Sequence, residues 1–134
     1  MIEAPIRELP TREKHRKLEE SGRVTPRQVI TAYEEEGATP IQGNFSTLAG
    51  GMCPASVLAA HEGLVLHGKQ LLYRAFFINR FERPEMAALY REGFISGVDE
   101  PARKDLEDHP LWRKGFRDGV RAWRLVASHF ALEG

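Results

Sequence analysis

Apolar residues recur at helical spacing through most of the chain, interrupted by proline and glycine at the points where helices should begin and end. Residues 1–22 are the exception. After Leu9 they are nearly all polar, and TREKHRKLEESG offers only Leu18 as an apolar anchor, so a polar arm or a loosely docked helix is expected there. Residues 23–134 then read as a single globular helical domain. Thr25-Pro26-Arg27-Gln28 is a helix start, with Thr25 as cap, Pro26 at the first helical position and Gln28 completing a capping box. Val29, Ile30 and Tyr33 form its inner side, and Gly37 suits a left-handed cap. The three glutamates 34–36 oppose the helix dipole and are expected to be solvated or paired with another element.

From residue 38 to residue 53, glycines and Pro40 predict an irregular connection. Pro54 opens a short apolar helix to about His61, in which Ala55, Ala59 and Ala60 permit close approach. Leu64-Val65-Leu66 is compatible with a brief strand. Residues 70–81 suit a helix, although LLYRAFFI would also serve as a buried strand. Arg83-Pro84-Glu85 starts another helix, with Met86, Leu89, Tyr90, Phe94 and Val98 along one side, and Asp99-Glu100-Pro101 stops it. Asp108-His109-Pro110 opens the longest helix, from Leu111 to about Leu132. The chain is therefore expected to be mainly α, a bundle of about four to five helices.

The last two helices contain a repeat. YREGFISGV (90–98) aligns without gaps to WRKGFRDGV (112–120), with five of nine positions identical. Glycine inside a helix costs roughly 0.5–1 kcal/mol relative to alanine, so Gly93, Gly97, Gly115 and Gly119 need a compensating reason. Close helix–helix approach supplies one, with Tyr90, Phe94, Trp112, Phe116 and Trp123 packing around the glycines. A helical hairpin built on this Gly/aromatic repeat is the expected C-terminal unit. A backbone surface left open to a ligand or partner is the alternative use of such glycines.

The length fits one domain, and 42% hydrophobic residues suffice for a core, which excludes disorder of the whole chain. The lone Cys53 excludes a disulfide framework or a cysteine-built zinc site within one chain. No apolar run reaches membrane-spanning length. The opening MIEAPIRELPTREKHRK has no apolar core of a secretory leader, so a reduced, cytoplasmic setting is expected.

Nineteen basic and nineteen acidic residues give zero net charge, but they are unevenly placed. Residues 37–68 carry a single charge, Glu62, whereas residues 1–36 carry seven basic and eight acidic groups. A charge-free stretch of that length is expected to be core, part of which could line a pocket or a subunit interface. On the last helix, Phe116, Gly119, Val120, Trp123, Val126, Ala127 and Phe130 share an arc of about 120°. Arg113, Lys114, Arg117, Arg121 and Arg124 lie beside it with Asp118 as the lone acid. That stripe is either a phosphate-binding face or a solvated face neutralised by the glutamates of the amino-terminal helices.

The motif Gly93-Phe94-x-x-Gly97-Val98, followed by Trp112-x-x-Gly115-Phe116-Arg117-Asp118-Gly119-Val120, resembles the paired glycine–aromatic helices of the ribosome modulation factor family. Those are small bacterial proteins that bind the ribosome during hibernation. The resemblance covers residues 93–123. The family's Cys-Pro-Tyr between the motifs is absent here, and Cys53-Pro54 lies upstream. What it implies is a similar packing of two helices and an association with RNA or the ribosome.

Catalytic chemistry has one local candidate. Cys53 precedes a helix start, where a dipole would lower a thiol pKa, and His61 and His67 follow. Eight residues along one helix separate Cys53 from His61 by about 12 Å, too far for a nucleophile–base pair. A buried inert cysteine is the alternative. The helical H-E-x-x-H pattern is missing, and GNFSTLAGG (43–51) lacks the lysine of a phosphate loop, so no metal or cofactor is expected. Three functions remain open: a non-enzymatic binding module, including a homodimer; an RNA- or ribosome-associated factor using the basic face; and a small enzyme or ligand-binding protein around Cys53, His61 and His67.

Overall fold

Among the described residues, four of the five helices begin at a proline, whose fixed φ suits the first helical turn and whose missing N–H is not needed there. The computed structural model describes residues 22–43, 51–66, 70–71, 73–103 and 109–132. Its helices are α1 (Pro26–Glu36), α2 (Pro54–His61), α3 (Tyr73–Ile78), α4 (Pro84–Asp99) and α5 (Pro110–His129). Two minimal strand pairs join them. β1 (Thr39–Pro40) pairs in parallel with β2 (Gly51–Met52), and β3 (Val65–Leu66) pairs antiparallel with β4 (Gln70–Leu71). The stretch that suited both helix and strand is thus divided, with a strand at 70–71 and helix α3 from Tyr73. The arm expected over residues 1–22 lies outside the described residues apart from Gly22, which is buried.

Local signals place α1 closely. The Thr25 N–H donates to Gln28 Oε1 at 2.8 Å, and the Gln28 N–H returns to Thr25 Oγ1 at 3.3 Å. Gly37, at φ 66°, closes the helix with its N–H on the Tyr33 carbonyl at 2.9 Å. At α5 the His109 ring Nδ1 accepts the Leu111 N–H at 3.1 Å. α2 explains the charge-free stretch: residues 54–59 are all buried, so this helix has no polar side. It lies between α1 and α3. The aromatic core continues from Phe76 and Phe77 of α3 to Tyr90 and Phe94 of α4, with Phe77 ring centroids 6.0 and 5.7 Å from those two.

The glycine repeat is the tightest contact in the fold. A Cβ placed on Gly93 would fall on the Trp112 carbonyl oxygen, and one on Gly115 would fall on that of Tyr90. Gly97 meets the Phe116 carbonyl in the same way, and Gly119 that of Phe94. Backbone therefore touches backbone, reciprocally, with no side chain between. The nine packing residues expected from the repeat (Tyr90, Gly93, Phe94, Gly97, Trp112, Gly115, Phe116, Gly119 and Trp123) are all buried.

The sense of the pairing departs from a hairpin. Gly93 lies against residues 112 and 116 and Gly97 against 116 and 120, so α4 and α5 run parallel. Pro110 then stands about level with Ala88. The ten residues between the helices have only to retrace roughly 16 Å, against a reach of about 33 Å. A short turn would enforce an antiparallel return; a linker of this length does not.

Alanine is the better helix former, yet at Gly97 it should destabilise. Gly97→Ala is expected to cost about 3 kcal/mol in urea unfolding, because the partner backbone must move. At Gly37, where nothing lies within 4 Å of the added Cβ, alanine should cost only about 1 kcal/mol for the positive φ. Equal losses at the two positions would refute close backbone packing as the glycines' role.

Candidate docking groove

The five basic residues expected to form one stripe divide in two. Arg113 and Lys114 are half-buried, and both have interaction partners. Arg117, Arg121 and Arg124 are exposed. They rim an open groove of about 600 Å³ whose floor and walls are Phe116, Val120, Leu125, Pro26 and Pro101. Among the described residues that line it there is no carboxylate. Leu125, 46% exposed, is one of two large hydrophobics left in the open among the described residues.

Of the amino-terminal glutamates expected to neutralise the stripe, Glu34 and Glu35 pair elsewhere. Glu34 accepts from His129 at 2.9 Å and Glu35 pairs with His61 at 2.6 Å, so these acids serve the ends of α5 and α2. Among the described residues no carboxylate pairs with Arg117 or Arg124.

Asp118, the lone acid of the stripe, points inward and is 2% exposed. Its carboxylate takes a two-pronged contact from Arg23, Nε at 2.9 Å and Nη2 at 2.8 Å, and the Tyr90 hydroxyl donates to it at 2.5 Å. Tyr90 Oη in turn accepts the Val24 N–H at 2.7 Å. Arg80 reinforces the same segment by donating to the Gly22 and Arg23 carbonyls, at 2.8 and 3.1 Å. Arg121 approaches Asp118 from the solvent side at 3.6 Å. This cluster holds the start of α1, and Pro26 with it, against α5. The sequence carried a signal for it. Asp118 sits three residues after Gly115 and four before Ala122, inside the buried stripe rather than beside it.

The remaining candidates separate. The Cys53 thiol is buried at the N-cap of α2, 3.6 Å from Ser56 Oγ. Burial pushes its pKa up and outweighs the hydrogen bonds that favour the thiolate, so the dipole-activated nucleophile is not found. His61 lies at the opposite end of α2, on Glu35, and His67 lies outside the described residues. The recess beside Cys53, lined by Pro54, Ala55, Phe94, Ile95 and Val98 among others, measures about 30 Å³, space for a water rather than a substrate. Among the described residues no three His, Cys, Asp or Glu side chains converge for a metal. No helix there is long and apolar enough to cross a membrane. No family model, curated protein or solved structure matches the chain.

Burial raises the pKa of Tyr33 and of Tyr90, and for Tyr90 the Asp118 carboxylate adds to the effect. The folded state thus holds these protons more tightly than the unfolded chain, whose tyrosines ionise near pH 10. Their contribution is intact below that pH and is lost as pH rises above it. Unfolding free energy should therefore fall above about pH 10, by up to ~1.4 kcal/mol per pH unit for each tyrosine. Tyr33→Phe should remove one share of the slope, and a flat profile between about pH 9 and 11 would contradict this. The Cys53 thiol should react with an aromatic disulfide within minutes in denaturant and far more slowly in the native protein at about pH 8. Fast native labelling would place it outside the core.

Proposed function

We propose that this protein is a non-enzymatic binding module that docks an anionic partner in the groove rimmed by Arg117, Arg121 and Arg124. The carrying observation is three neighbouring exposed guanidiniums over an apolar floor, with no carboxylate among the described residues that line the groove. Like charges four residues apart on a helix repel by a few tenths of a kcal/mol, so this row is unfavourable until an anion meets it. A binding role also fits the position of Cys53, whose thiol is buried and faces only a water-sized recess. A reducing cytoplasmic setting suits that lone thiol.

The reading is tested with heparin as a polyanion probe. The wild-type protein should be retained at low salt and released as salt rises. Arg117→Glu/Arg124→Glu should pass through unretained, with its unfolding free energy changed by no more than about 1 kcal/mol because both sites are exposed. Equal retention of the two proteins, or none by the wild type, would reject the groove as the anion-binding face.

A further inference from the structure

We propose that the partner seated in this groove is an acidic amphipathic helix of another protein. The inference rests on the docking reading above and names its ligand. Arg117, Arg121 and Arg124 follow one another at four and three residues along α5, so they rise together through about 10.5 Å on one side of the helix. A helix laid alongside presents its own side chains at the same period, and carboxylates four and three residues apart meet the guanidiniums one to one. Each such contact is a charge-assisted hydrogen bond, two-pronged where the fork aligns. Beneath the arginines the floor is apolar and proline-walled, and Leu125 stands 46% exposed. It accepts leucine, isoleucine or methionine from the partner's inner face, the arrangement of a helix anchored in a groove.

The same floor disfavours a nucleic acid. Single-stranded RNA is held by bases stacked on exposed rings as well as by phosphate contacts. The ring in this groove, Phe116, is only 7% exposed. Its face is stacked on Trp112, with centroids 5.5 Å apart and planes 13° from parallel. The phosphate row is also short, since Arg113 and Lys114 are half-buried and engaged elsewhere.

The test uses labelled probes and fluorescence anisotropy at low salt. One is an amphipathic peptide of about 16 residues, roughly four turns, with leucines on one side and glutamates at both margins. A second has every glutamate replaced by lysine, and a third is an oligouridylate. The glutamate peptide should bind and the other two should not. Arg117→Glu/Arg124→Glu should weaken the glutamate peptide by about tenfold or more and should gain binding to the lysine peptide. An unfolding free energy close to that of the wild type shows that the variant is folded. Leu125→Glu should also weaken the glutamate peptide, through the floor. If the oligouridylate binds through these arginines and the peptide does not, the groove remains an anion site and the helix partner is overturned. If neither binds, both the groove reading and its ligand fall. Peptide binding indifferent to Leu125→Glu would reduce the contact to charge alone and reject a seated helix. A dimer in light scattering that Leu125→Glu dissolves would assign the groove to a second copy of the chain and likewise overturn the proposal.

Discussion

Two helices touching backbone to backbone set the conditions for the rest of this fold. At Gly93, Gly97, Gly115 and Gly119 the backbones of α4 and α5 meet with no side chain between them. The aromatic residues of the repeat are displaced to the flanks. Tyr90 and Phe94 turn toward Phe77 and Phe81 and become the main core. Trp112 and Phe116 stack on each other, and Phe116 underlies the groove. One close approach thereby sorts the two copies of a motif into two environments. Dispersion across a long backbone interface, with Cα–H···O contacts along it, offsets the poor helix propensity of four glycines.

The second constraint is a buried charge. A carboxylate as enclosed as Asp118 stays folded only if partners replace the water it lost, and Arg23 and Tyr90 do so with three hydrogen bonds. Replacing such a set with apolar residues can leave stability unchanged, so its value here lies in position as much as in energy. It fixes where residues 22–25 cross α5 and therefore where Pro26 stands. The wall of the groove is determined by that crossing. Arg121 shares the carboxylate from outside, which orients one arginine of the rim without neutralising the other two.

Much of this was legible in the sequence because it is governed by local rules. The prolines at 26, 54, 84 and 110, the capping box at Thr25 and Gln28, and Gly37 each act within a few residues, and the helices start and stop where they indicate. The repeat announced close packing. Its direction was not readable, since a motif repeated in two helices forms reciprocal contacts in either sense, and the ten-residue linker permits both. The partners of the glutamates were equally hidden. Glu34 and Glu35 meet His129 and His61 from helices distant in sequence, and pairing by charge count pointed to the arginines instead. The Cys53 environment failed for a related reason. The helix-start rule sees the dipole, while the burial that opposes it comes from the whole chain.

With the glutamates so diverted, Arg117 and Arg124 have no carboxylate partner among the described residues. Carboxylates in the last turn of α1 were available close to α5, and the fold commits them to histidines. A sequence selected for stability alone would place an acid four residues from Arg117 or Arg124 and gain a few tenths of a kcal/mol. Positions 113, 120 and 128, which lie one turn from these arginines, hold Arg, Val and Ser; Arg121, four residues after Arg117, approaches a carboxylate that Arg23 and Tyr90 already hold. The caps of α1 and the glycines of α4 and α5 are local choices that agree with the fold. Exposed Leu125 beside Arg117 and Arg124 adds an apolar cost to the electrostatic one in the same groove, and the proposed docking role rests on that coincidence.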